Sequence, residues 1–63
     1  MTPDEFRSHR TTAGLTQAQA AQLLYVTVST VTKWEMGLHA IAPLAAEKIQ
    51  QLAKKAAAKG AKS

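Results

Sequence analysis

The chain contains no cysteine, so it has neither disulfides nor thiolate metal ligands to brace a small fold. That absence also fits a reducing cytoplasm, the compartment expected here. Aromatics are almost as scarce: Phe6, Tyr25 and Trp34 are the whole set. No apolar run approaches the roughly 20 residues that a membrane span needs, and no stretch has the form of a signal peptide. Acids are few as well. Asp4, Glu5, Glu35 and Glu47 stand against eight lysines and arginines, and no two of them form a carboxylate pair for acid–base work. His9 and His39 share no metal-ligand spacing with them, and no nucleophile has a base at a recognisable distance. The sequence therefore points away from an enzyme, a metal site, a cofactor or a small-molecule ligand. Sixty-three residues make one domain with a thin core, since a chain of this size buries only about 60% of its unfolded surface.

What is present is positive charge and helical periodicity. The net charge is +4, which favours a polyanionic partner such as nucleic acid. Its distribution is uneven: Lys48, Lys54, Lys55, Lys59 and Lys62 follow the last acid. Thr2-Pro3-Asp4-Glu5 reads as a helix start, with Thr2 as N-cap, Pro3 where its missing amide costs nothing, and Glu5 closing a capping box. The first helix is expected from Pro3 to Ala13, with Phe6, Arg10 and Ala13 on one face and Gly14 ending it. Both histidines, His9 on this helix and His39 in a later loop, are expected at the surface.

Thr16 to Gly37 is the stretch that organises the rest. Gln17, Ala20, Ala21 and Leu24 recur at i, i+3, i+4 and i+7, the period of a helix with one apolar face. Thr16 and Gln19 form a second capping box ahead of it. A second short helix is capped by Thr27, turns Val28, Val31, Trp34 and Glu35 inward, and is closed by Gly37. Ala21 stays small where the two helices cross, and Val26 and Val31 fill the gap. Two short helices joined by a tight turn make a helix-turn-helix. After it, Pro43 opens a fourth helix carrying a narrow stripe of Ala45, Ile49, Leu52 and Ala56, which is expected to lie over helices 1 and 3 as far as Leu52. The alanines and lysines beyond have helix propensity but nothing large to bury, and fraying is expected between Ala53 and Gly60. The expected architecture is an all-α, compact bundle of four or five short helices. Residues 1–53 form the domain and 54–63 a basic, partly disordered tail.

The run LTQAQAAQLLYVTVSTVTKWEMG resembles the Cro and phage-repressor type of helix-turn-helix regulator. The resemblance rests on Leu15-Thr16-Gln17, Ala21, Leu24, Val26, Ser29-Thr30-Val31 and Trp34-Glu35-x-Gly37, about a third of the chain. Tyr25 departs from the pattern, standing where the family usually has glycine. A residue other than glycine at positive φ costs of order 1 kcal/mol, so a strained or differently shaped turn is expected. The resemblance implies double-stranded DNA as partner, and a paired Arg10 and Glu35. A carboxylate in the last helical turn opposes the helix dipole unless something pairs with it. The bland alternative is two separate surface charges.

In a helix-turn-helix the second helix enters the major groove N-terminus first while the first lies across the backbone. The residues at the outward start of that helix are Thr27, Val28, Ser29, Thr32 and Lys33, the candidate base readers; Val28 is thus counted on both sides. Valine suits a thymine methyl, Ser29 and Thr32 discriminate weakly, and Lys33 can reach guanine or phosphate. Thr16, Gln17, Lys33 and His39 are the candidate phosphate contacts, Gln17 by the resemblance. These polar residues are otherwise ordinary occupants of solvated helix faces. The function expected is a small transcriptional regulator of phage or bacterial kind, a repressor acting by operator occupancy, homodimeric at least on DNA. Two other classes compete: an antitoxin-like or anti-repressor module using helix 4 and Leu38 to Leu44 against a protein, and a nonspecific binder driven by the lysines.

Overall fold

A computed structural model describes residues 1–60 of the chain, without the side chains of residues 59 and 60. It contains α1 (Pro3–Thr12), α2 (Gln17–Leu24), α3 (Val28–Glu35) and α4 (Pro43–Gly60) in that order, and no strand among the described residues. Both capping boxes form. Thr2 accepts from the Glu5 amide while the Glu5 carboxylate takes the Thr2 amide at 2.8 Å, and Thr16 and Gln19 repeat the arrangement. Thr27 caps α3 by accepting from the Thr30 amide.

The first three helices end in the same way. Leu15 N–H donates to Arg10, Val26 to Ala21 and Leu38 to Lys33, each reaching back past a left-handed residue. At Gly14 and Gly37 that residue is glycine, with φ of 72° and 77°. The third is Tyr25, at φ 59° and ψ 40°. The turn therefore keeps the shape that glycine would give it, and the tyrosine bears the steric cost. Its side chain is 93% exposed, so no packing offsets that cost.

Phe6 lies at the centre of the core, fully buried and edge-on to Trp34, with ring centroids 5.6 Å apart and planes at 67°. Ala20, Ala21, Val31, Ala45 and Ile49 close around them, with Leu15, Leu24, Val26, Ile41 and Leu52 at the margin. Alanines at 20 and 21 let α2 approach α3. Val31, Trp34 and Glu35 are the inward row of α3, but Val28 is not part of it. At 45% exposure Val28 sits at the edge of that row, about two turns before Glu35, and leaves the inner side to Val31, Trp34 and Glu35. His9 also departs from expectation: three residues after Phe6, it borders the buried row and is half-buried.

Two expectations for α4 need correcting. It packs mainly along α1 and secondarily on α2, rather than over α1 and α3. It also packs beyond Leu52, and the helix reaches Gly60, the far end of the span in which fraying is expected. Alanine and lysine are good helix formers, and no breaker intervenes before that glycine. Ala53 is buried and Ala56 half-buried, so α4 keeps its inner side beyond Leu52, and Ala56 lines an open cleft with Ala13 at the end of α1. The proposed tail from 54 onward is helical as far as it is described; Ala61, Lys62 and Ser63 lie outside the described residues.

Candidate nucleic-acid interface

The helix α3 is fixed from behind. Glu35 closes α3 with its side chain only 2% exposed, and four nitrogens from two other helices converge on it. Arg10 Nε donates to Oε2 at 2.7 Å and its Nη2 to Oε1 at 3.2 Å. Gln17 Nε2 reaches Oε1 at 3.3 Å and Arg7 Nε reaches it at 3.4 Å. The expected Arg10–Glu35 pair is therefore present, within a larger network. Burial pushes the Glu35 carboxyl up. Hydrogen bonds from Arg10 and Gln17, the Arg10 charge and the Arg7 bond outweigh burial and hold it below its ordinary value. Arg10 also gives Nη1 to the Leu15 carbonyl at 2.9 Å, pinning the turn that leads into α2. One guanidinium thus fixes α1 against both helices of the motif.

Three features of this network escape a reading of the sequence. Arg7 joins through a long-range contact that no local spacing encodes, although it lies one turn before Arg10 on the same face, and the Leu15 carbonyl joins through the turn after α1. Gln17, expected to contact phosphate, turns its amide inward to Glu35 in the free protein. Its carbonyl oxygen lies 3.5 Å from the Thr32 hydroxyl, whose one proton is better placed for the Val28 carbonyl at 3.0 Å.

The candidate base readers differ in what they have left to offer. On a helix turning 100° per residue, Ser29 and Lys33 point away from the Val31, Trp34 and Glu35 row. Among the described residues neither side chain has a hydrogen-bond or salt-bridge partner, and both are exposed. Val28 and Thr32 flank them on the Gln17 side. The Thr32 hydroxyl donates to the Val28 carbonyl at 3.0 Å, so its outward chemistry is its methyl group. Thr27 is occupied as the cap, and its hydroxyl also lies 2.9 Å from that of Thr30.

Phosphate candidates fall on two sides of α3. On one, the Thr16 amide is taken by Gln19, which leaves the amides of Gln17 and Ala18 as those without an intrahelical partner. On the other, Lys33 and the exposed His39 line one open cleft of about 240 Å³ with Thr30, Trp34 and Ala40. Lys33 and His39, six residues apart, are thus brought together, while Thr16 and Gln17 form a separate group.

A family model described as helix-turn-helix matches residues 6–55. The chain belongs to the helix-turn-helix family of the Cro and phage-repressor type. No curated protein and no solved structure matches it. Family membership makes this protein a DNA-binding regulator, with double-stranded DNA as its partner. No described helix is long and apolar enough to cross a membrane.

Proposed function

We propose that the protein is a sequence-reading repressor that acts by occupying an operator, with α3 entering the major groove N-terminus first. One observation carries this reading. Ser29 and Lys33 hold uncommitted polar groups on the outward side of a helix whose inner side is locked by Glu35 to α1 and α2. A rigid back and a free front let base contacts form without reordering the helix. Val28 and the Thr32 methyl supply apolar contact suited to thymine, Ser29 a weakly selective hydroxyl, and Lys33 a cation for guanine or phosphate. Thr27 stands at the helix start and serves chiefly to cap it. Gln17, with the Thr16 hydroxyl beside it, anchors one strand of backbone, and Lys33 with His39 anchors the other side.

Such a head has no arginine, asparagine or glutamine on its exposed face, so each half-site discriminates modestly. Two copies bound as a homodimer on half-sites about 34 Å apart, one turn of the duplex, would supply the remainder together with DNA shape. Lys54 and Lys55 on α4 add a salt-sensitive, sequence-independent attraction. The deciding experiment is selection from a random duplex library at about 150 mM salt, where nonspecific attraction is already weakened. An enriched inverted repeat with one-turn spacing supports the dimeric reader, and a single short site supports a monomeric one. No enrichment refutes the proposal.

A second reading has its own support. Leu44 is 81% exposed at the start of α4, and Leu38 in the preceding loop is also well exposed. Large exposed leucines at either end of this connection suit an antitoxin-like or anti-repressor module that binds a protein. This reading requires that Leu38→Ser and Leu44→Ser leave any duplex enrichment intact while abolishing association with that partner.

A further inference from the structure

We propose that Arg7 is a DNA-phosphate contact, a role that extends the interface onto α1; the proposal rests on the reading that the start of α2 faces the DNA backbone. Glu35 is already neutralised by Arg10, through two bonds of 2.7 and 3.2 Å. Arg7 adds only one long contact of 3.4 Å from a side chain that is 57% exposed. An ion pair so open to water contributes little to stability.

Two arginines against one carboxylate also leave a surplus positive charge where α1 meets the start of α2 and the end of α3. That surplus lies on the outer member of the set, since Arg7 is far more exposed than Arg10. The contact to Glu35 is made through Nε, and the two terminal nitrogens have no protein partner among the described residues. A guanidinium held by one edge, with its fork free, has the arrangement that binds a phosphate through two parallel bonds.

Position supplies the rest. Arg7 Nε and Gln17 Nε2 both lie against the same oxygen, Glu35 Oε1. The free fork is therefore beside the side chain proposed to meet the backbone. Phosphates on one strand succeed one another every 3.4 Å along the duplex axis, so Arg7 and Gln17 can take one phosphate or two in succession. Glu35 acts as the positioning residue for both, and Arg7 brings the charge that Gln17 lacks.

The test measures the affinity of Arg7→Met and Arg7→Lys for the selected duplex and for a scrambled duplex, between about 50 and 200 mM salt. The Arg7→Met variant is expected to bind both duplexes about 3–10-fold more weakly, with unchanged base preference and a log K against log salt slope shallower by about one. Arg7→Lys should recover the slope, because the charge is restored, and only part of the affinity. If Arg7→Met keeps the wild-type slope, whatever its melting temperature, Arg7 makes no phosphate contact. If wild-type protein holds neither duplex, the DNA reading falls, and the role of Arg7 falls with it. The two failures are thus distinguishable in one series.

Discussion

The buried carboxylate at the end of α3 invites a double-mutant cycle, pairing Glu35→Gln with Arg10→Met. Glutamine keeps the shape of glutamate but offers one accepting oxygen where four donor nitrogens converge. Whichever way the amide turns, its NH₂ faces at least one other donor and the charge assistance is lost. Removing one partner of a fully buried pair costs about 3–5 kcal/mol. Arg10 retains 17% exposure and its bond to the Leu15 carbonyl, so the expected cost of Glu35→Gln is lower, about 2–3 kcal/mol. Arg10→Met leaves an almost wholly buried carboxylate with only the long contacts from Arg7 and Gln17 and frees the Leu15 carbonyl, for about 3 kcal/mol. The double variant leaves no unpaired charge between the two sites and should cost little more than the worse single one. The coupling energy is then about 2 kcal/mol.

At this chain length each kcal/mol moves the melting temperature by about 8 °C. A domain this small has only about 3–5 kcal/mol to lose. Either single variant would be largely unfolded on warming, so the cycle is best measured by urea titration followed by circular dichroism in the cold. Single variants each within about 0.5 kcal/mol of wild type, with no coupling, would refute the claim that this network fixes α1 against the motif.

Acidification tests the same carboxylate by a different route. The folded-state pKa of Glu35 lies below its ordinary value of 4.5, so its contribution is complete above that pH and is lost as pH falls through the folded value. Glu5 acts in the same direction, lowered by its hydrogen bonds to the Thr2 backbone and hydroxyl. Melting temperature should hold steady from pH 7 to 5 and fall below 4.5, and Glu35→Gln should flatten that decline. Tyr25→Gly should stabilise the fold by up to about 1 kcal/mol, because glycine removes the left-handed cost and no side-chain packing is lost; a lower urea midpoint would contradict this. Gly37→Ala should cost about 1 kcal/mol through φ alone, since its new methyl would meet nothing nearer than Pro3 Cγ at 3.7 Å. In DNA binding, Thr32→Ser should weaken preference for a thymine-containing site with little effect on scrambled duplex. Lys33→Met should weaken both and make the salt slope shallower.

The helix boundaries were legible because their causes are local. Thr2, Thr16 and Thr27 each cap the amide three residues on, and Gly14 and Gly37 release the chain into a conformation that few other residues accept. The Arg10–Glu35 pair was legible through family resemblance together with one physical anomaly, an acid at the wrong end of a helix dipole. The packing of α4 beyond Leu52 was not legible, for the opposite reason. A stripe of alanines looks like too little to bury, yet Ala53 and Ala56 fit where α1 comes close, and that closeness is a property of the assembled pair.

The shared use of Glu35 is the least legible feature, and it links stability to function. One oxygen of this carboxylate receives nitrogens from Arg7, Arg10 and Gln17, residues on two helices separated by a turn. The group that holds α1 to α3 therefore also sets where the Gln17 amide lies before DNA arrives. For Gln17 to meet a phosphate it must give up a bond of 3.3 Å to Glu35, a long contact whose loss costs little. Arg10, at 2.7 Å, stays in place and keeps the carboxylate neutralised during that exchange. The short bond maintains the angle between helices, and the long ones leave side chains available at the surface. A carboxylate gripped as closely by Gln17 and Arg7 as by Arg10 would leave both side chains less free to bind.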